Sequence, residues 1–162
     1  MPPRDVPPAG RALSHPRGPR SPTRAIDRSP DQPGYAGRVF RRIAEAGVFV
    51  DMIVQNVSTA GNTHLTFTVP VDLAGIAARA AGSLGPGDVS VDPAIAKLSV
   101  LGVGMRTHTG VATAMFGALA ERGINIALIN TSEVRINVAT APGRGREALA
   151  CLREAFSLPN EP

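Results

Sequence analysis

Displaced by 76 residues, the part of the chain that follows position 30 lies over itself. Pro33-Gly34-Tyr35-Ala36 falls on Thr109-Gly110-Val111-Ala112, Phe40 on Phe116, and Ala44-Glu45 on Ala120-Glu121. Gly47-Val48-Phe49-Val50 falls on Gly123-Ile124-Asn125-Ile126, and Ile53 on Ile129. A repeat of this kind restricts the chain to two copies of one supersecondary unit, whatever else surrounds them. Each copy reads as a Gly-containing turn, a helix closed by Gly at its C-terminal end, and a β-rich strand.

In the first copy the helix is predicted over 34–46, with Val39, Phe40 and Ile43 on one stripe, and a strand over 48–54. The alternation of His64 to Val69 predicts a second strand, hairpin-paired with the first, and 71–81 is an Ala-rich helix. In the second copy the pattern predicts a strand over 97–103, a helix over 110–122 and a strand over 124–129. A further strand is carried by Val134, Ile136 and Val138, and a helix spans 146–156 with Ala148, Leu149, Leu152 and Phe156 on one face. The order βαββα, completed by a fourth strand, is the ferredoxin-like α+β sandwich: a mainly antiparallel sheet with helices on one face.

A length of 162 residues suits two such units, and with 4% aromatics and no Trp their cores must be aliphatic. The formal charge of +4 is a property of the first thirty residues, which hold six Arg against two Asp; the remainder is neutral. Those residues also carry eight of the 15 prolines and no hydrophobic period, which predicts a disordered tail over 1–30. Domain limits of 31–92 and 93–157 follow, with a short tail at 158–162. A neutral folded portion argues against nucleic acid as partner. No apolar run of membrane-spanning length and no secretory h-region is present, so the expected location is the cytoplasm, without a membrane partner.

Catalytic signatures are missing. No Walker loop and no strand-linked GxGxxG occurs, Lys97 is the single lysine, and no Gly-x-Ser-x-Gly elbow supports a nucleophile. His15, His64, His108 and Cys151 lack the spacing of a metal site. The expectation is a chain with no cofactor, no metal and no catalytic residue of its own.

The turns before the first helix of each copy, Asp31-Gln32-Pro33-Gly34-Tyr35-Ala36 and Thr107-His108-Thr109-Gly110-Val111-Ala112, carry more information. A helix N-terminus offers unpaired N–H groups to an anion, and Gly permits close approach. Asp31 beside it suits an ammonium group, so the pair fits the two ends of a free amino acid. The alternative is that Asp31 caps the helix and Gly34 serves the turn. A polar cluster follows the central strand of each copy, Gln55-Asn56-Val57-Ser58 and Asn130-Thr131-Ser132-Glu133, suited to binding a small polar ligand or to ending a strand.

Four runs taken together, Pro30–Ala36, Asp51–Ser58, Lys97–Met105 and Ile124–Ile136, closely resemble the tandem ACT domains of aspartate kinase, over about Pro30 to Phe156. That family phosphorylates aspartate with ATP, the first step towards lysine, threonine and methionine, and its ACT pair senses end products. In some bacteria the regulatory portion is also a separate β subunit paired with the full-length α subunit, and this chain resembles it. The kinase domain is missing, so the resemblance implies a regulatory part that does not catalyse alone. It also implies lysine and/or threonine as effectors, and pairing with itself through ACT domains and/or with a full-length aspartate kinase catalytic subunit.

The effector position implied by the resemblance lies between paired ACT domains. It comprises Asp31, Gly34, Tyr35 and Ala36 of the first turn, Gln55 and Asn56 of the polar cluster, and the Asn125-Ile126 segment of a neighbouring repeat, with Thr131 and Ser132 as further candidates. The family's first ACT strand should precede Asp31, but Pro22–Ser29 has no apolar alternation, which predicts a first domain lacking that strand. The family's last strand after the final helix has no counterpart in Ser157–Pro162. Phe49 stands where Asn is usual, which points to one closed site of two. A stand-alone amino-acid sensor with another partner and a degenerate, non-sensing copy are the competing readings.

Overall fold

A computed structural model describes residues 12–14, 23–57, 62–85, 88–92, 95–101 and 110–158. The chain divides into two units: 18–95, and 96–162 together with 1–17.

The first unit runs β2 (Thr23–Pro30), α1 (Tyr35–Glu45), β3 (Ile53–Val57), β4 (Asn62–Thr68), α2 (Ala74–Gly82) and β5 (Asp88–Asp92). Its sheet is antiparallel in the order β3-β4-β2-β5, the βαββαβ arrangement of the ferredoxin-like fold. Val39 and Ile43 of α1, Ala77 and Ala81 of α2, and Leu65, Phe67 and Val69 at β4 form its core. Phe40 meets Phe67 edge to face, with ring centroids 5.6 Å apart.

The expected absence of a first strand, and of structure throughout 1–30, is corrected here. Thr23–Pro30 is a strand in the interior of the sheet, hydrogen-bonded to β4 on one side and β5 on the other. Its register shifts between Ile26 and Ser29, so an irregularity interrupts the period of two that an alternation search requires. Strand formation is imposed by two paired neighbours rather than by local propensity. Residues 1–11 and 15–22 of the expected tail lie outside the described residues, as do the turn residues 58–61 and 102–109 and the C-terminal 159–162.

The second unit runs β6 (Ala96–Leu101), α3 (Gly110–Glu121), β7 (Ile126–Thr131), β8 (Arg135–Thr140) and α4 (Gly145–Ala155). Among the described residues no strand follows α4, and the fourth strand of the sheet is β1 (Ala12–Ser14), which pairs antiparallel with β6, Ala12 opposite Leu101 and Ser14 opposite Ser99. The sheet order β1-β6-β8-β7 is therefore that of the first unit, with the fourth strand drawn from before the first. Leu98, Val100, Ile136 and Val138 meet Val111, Met115 and Leu119 of α3 and Ala148 and Leu152 of α4 in the core.

The repeat holds residue by residue. Tyr35, Val39 and Ile43 are buried on α1, as are Val111, Met115 and Leu119 on α3, each 76 positions later. Two local differences from expectation arise in the first unit. Residues 48–52 are not regular strand; they are tied to Thr68, whose carbonyl accepts from Asp51 N–H at 3.1 Å and whose Oγ1 accepts from Met52 N–H at 3.1 Å. β5 escapes a search for apolar alternation because it is a short edge strand flanked by Asp88 and Asp92, with Val91 exposed.

Candidate ligand-binding site

β2 ends at Pro30, and the chain turns through Asp31 to Gly34 before α1 begins. Gln32 N–H donates to the Pro30 carbonyl at 2.9 Å and Tyr35 N–H to the Gln32 carbonyl at 3.1 Å. Gly34 stands at the N-cap with φ 84°, in the left-handed region that a side chain disfavours. No side chain caps α1. Asp31 therefore does not cap the helix; its Oδ1 instead accepts a hydrogen bond from the Thr63 hydroxyl of β4 at 3.3 Å.

Around this turn lies a cavity of about 490 Å³, lined by Pro30, Asp31, Gln32, Pro33, Gly34, Tyr35, Ala36, Gln55, Thr63 and Leu65. β3 contributes Gln55, whose Cα partner on β4 is Leu65. Thr63 and Leu65 are both buried and alternate along β4 on one side of the sheet. Tyr35 is buried, and the Arg38 guanidinium sits 5.4 Å from the centre of its ring.

The arrangement brings complementary chemistry together. The uncapped end of α1 supplies N–H donors and partial positive charge for an anion. The Asp31 carboxylate accepts from a cation, and the Gln55 amide both donates and accepts. Leu65 and the two prolines add apolar wall. A small zwitterion with a polar side chain matches this set.

Of the residues singled out in the sequence, Asp31, Gly34, Tyr35, Ala36 and Gln55 share this one cavity. Asn56 is exposed on β3, but successive strand residues face opposite sides and it is not in the lining. Asn125, Ile126, Thr131 and Ser132 belong to the second unit. Asn125 is exposed just before β7, and Ile126 packs against the second core. Thr131 is exposed at the end of β7, and the Ser132 N–H donates to the Arg135 carbonyl at 2.7 Å, closing the β7–β8 turn. The second Gly turn, 107–109, lies outside the described residues. Pro30, Gln32, Pro33, Thr63 and Leu65 are further lining residues; Leu65 lies within the strand predicted from the alternation of His64 to Val69, whereas Thr63 comes to the cavity through the pairing of β4 with β2.

A second, open groove of about 510 Å³ lies in the first unit, lined by Phe40, Ile43, Ala44, Gly47, Val48, Phe49, Val50 and Ile53. Phe49 is 66% exposed there, and its repeat counterpart Asn125 is exposed as well. Among the described residues no helix is long and apolar enough to cross a membrane.

The profile of the ACT domain family matches residues 98–156. An aspartokinase of Mycolicibacterium smegmatis is 45% identical over 135 residues, which cover 80% of this chain and 32% of that protein. The chain thus spans about a third of the length of the curated relatives it matches. Among solved structures, the regulatory subunit of aspartate kinase from Thermus flavus superposes with a TM-score of 0.81 at 36% identity, over 91% of this chain and 99% of that one. A crystal structure of aspartokinase alpha and beta subunits gives a TM-score of 0.83 at 33% identity, over 93% of this chain and 100% of the matched one.

Proposed function

The chain belongs to the aspartate kinase family as a tandem ACT regulatory portion with an allosteric role, and from that premise we propose that it binds a free amino acid in the cavity around Asp31 and thereby sets the activity of an aspartate kinase catalytic chain. The observation that carries this reading is the convergence of the Asp31 carboxylate, the uncapped N-terminus of α1 and the Gln55 amide on one cavity. The α-carboxylate of the ligand is held by the helix N–H groups, its α-ammonium by Asp31, and its side chain is read by Gln55. Threonine and lysine both present a polar side-chain group to an amide and are the proposed effectors.

Asn125 and Ile126 are proposed to complete a site on an ACT domain paired with their own, in a homodimer or with a full-length kinase subunit. Asn56, Thr131 and Ser132 are proposed as peripheral contacts, and the hydrogen bond of Ser132 within the β7–β8 turn favours a strand-ending role for that residue. Regulation follows from linkage: a ligand shifts the kinase only by the difference in its affinity for the two arrangements of the pair. Feedback inhibition of a cytoplasmic aspartate kinase is the proposed outcome. The competing reading of a degenerate copy drew on a lost first strand, and that strand is present as β2.

Calorimetric titration of the purified chain with lysine, threonine, both together and methionine tests the reading, with Asp31→Ala and Gln55→Ala as controls. Saturable binding to the wild type that is lost in both variants is expected, followed by inhibition of an added aspartate kinase catalytic chain. Binding that survives Asp31→Ala would place the ligand elsewhere.

A further inference from the structure

Thr63 stands on β4, a strand paired on both sides, opposite Ser29 of β2 and Val57 of β3. Its side chain is only 4% exposed, yet it borders the cavity. Asp31, by contrast, is exposed, lies in the turn just past the end of β2, and takes no part in capping α1. A carboxylate in such a place exchanges among staggered rotamers, and a ligand that binds it must first bear the entropy of fixing it. The Thr63 hydroxyl, donating to Asp31 Oδ1 at 3.3 Å, restrains one oxygen from a strand that is itself held by two neighbours. The other oxygen is left for a cation. The register shift after Ile26 sets Ser29, two residues before Asp31, across from Thr63.

We propose that Thr63 is a positioning residue for ammonium recognition: its hydroxyl holds the Asp31 carboxylate so that Oδ2 meets the α-ammonium group of the bound amino acid. The inference rests on the amino-acid reading of this cavity. Preorganisation of this kind raises affinity by lowering the cost of ordering, without a contact between Thr63 and the ligand. It also makes the site sensitive to the residue that holds the carboxylate, and sensitive only for ligands that carry the ammonium.

The test compares wild type, Thr63→Val and Thr63→Ser by NMR titration, which follows binding into the millimolar range. The probes are L-threonine, L-lysine and the 2-hydroxy acids with the same two side chains, and the thermal midpoint of each variant checks its fold. Thr63→Val is expected to weaken the amino acids about tenfold, the effect of losing one hydrogen bond to a charged group. It should leave the 2-hydroxy acids unchanged, and Thr63→Ser should restore amino-acid binding. Equal losses for amino acids and 2-hydroxy acids, or a Ser variant as weak as the Val variant, overturn the positioning role while the amino-acid reading stands. A folded wild type that takes up neither amino acid overturns both.

Discussion

Gly47 and Gly123 do the same work in the two halves of the chain. Both have positive φ, 73° and 60°, and each N–H donates at 2.9 Å to the carbonyl three residues back, Ala44 and Ala120. The next residue, Val48 or Ile124, donates to the carbonyl five back, Ile43 at 3.1 Å and Leu119 at 2.9 Å, and is buried at 4% exposure in both units. This is the Schellman arrangement, with a left-handed residue ending the helix and an apolar residue just beyond it.

An added Cβ meets no atom within 4 Å at either glycine, so any cost of substitution is conformational rather than steric. Gly47→Ala and Gly123→Ala are each expected to destabilise their unit by about 1 kcal/mol, the left-handed penalty for an L-residue. Urea unfolding monitored by circular dichroism checks this. An unchanged midpoint in either variant would show that the helix end relaxes out of the left-handed region.

These glycines, with Phe40 over Phe116 and Ala44-Glu45 over Ala120-Glu121, make the repeat legible, because helix length and helix stop are local signals. Asp31, Gly34 and Gln55 were legible for a related reason: a turn before a helix and a polar end to a strand carry their chemistry in residue type. What stayed hidden depends on partners distant in sequence. β2 forms because β4 and β5 flank it, and its register shift breaks the period that would have announced it. β1 is three residues long and has no pattern of its own; β6 gives it its conformation. Thr63 joins the cavity through the register of β4 against β2, which no spacing in the sequence states.

The borrowed strand β1 leads to a prediction about the N-terminal segment. Without it, the β6 edge from Ser99 to Leu101 loses its partner on one side. Removing residues 1–17 is expected to lower the thermal midpoint of the second unit, and to produce concentration-dependent association as the bare edge pairs with another chain. Light scattering coupled to size exclusion, with the full chain alongside, reads both effects. A truncated chain that stays unassociated with an unchanged midpoint would make β1 dispensable.

Arg144 bridges the end of α3 and the start of α4. Its guanidinium donates to the Arg122 carbonyl at 2.8 Å and to Glu147 Oε2 at 2.7 Å. The hydrogen bond from Arg144 holds the Glu147 carboxyl below its ordinary value of 4.5. A depressed folded value means that the contribution of the pair is present above pH about 4.5 and lost as the pH falls through the folded value. Both groups are exposed, so salt screens the pair. The stability difference between wild type and Glu147→Gln is therefore expected to be largest near neutral pH at low salt and to shrink on acidification, as followed by thermal midpoints across a pH series. A difference that grows towards acid would reverse the assignment.

Cys151 lies on the inner face of α4, 4% exposed, with its thiol donating to the Ala148 carbonyl at 3.3 Å. Burial pushes its pKa up, against a smaller opposing effect of the Arg122 charge. Since the thiolate is the reactive form, both the raised value and the lack of access act in the same direction. The native chain is expected to react with a disulfide reagent at pH 8 far more slowly than the chain unfolded in guanidinium, at a rate that tracks opening of the second unit. Gly123→Ala, by loosening the end of α3, should then speed the native reaction, because the α3 and α4 side chains share one core. Labelling as fast in the native as in the unfolded chain would mean that α4 is not held against that core in solution.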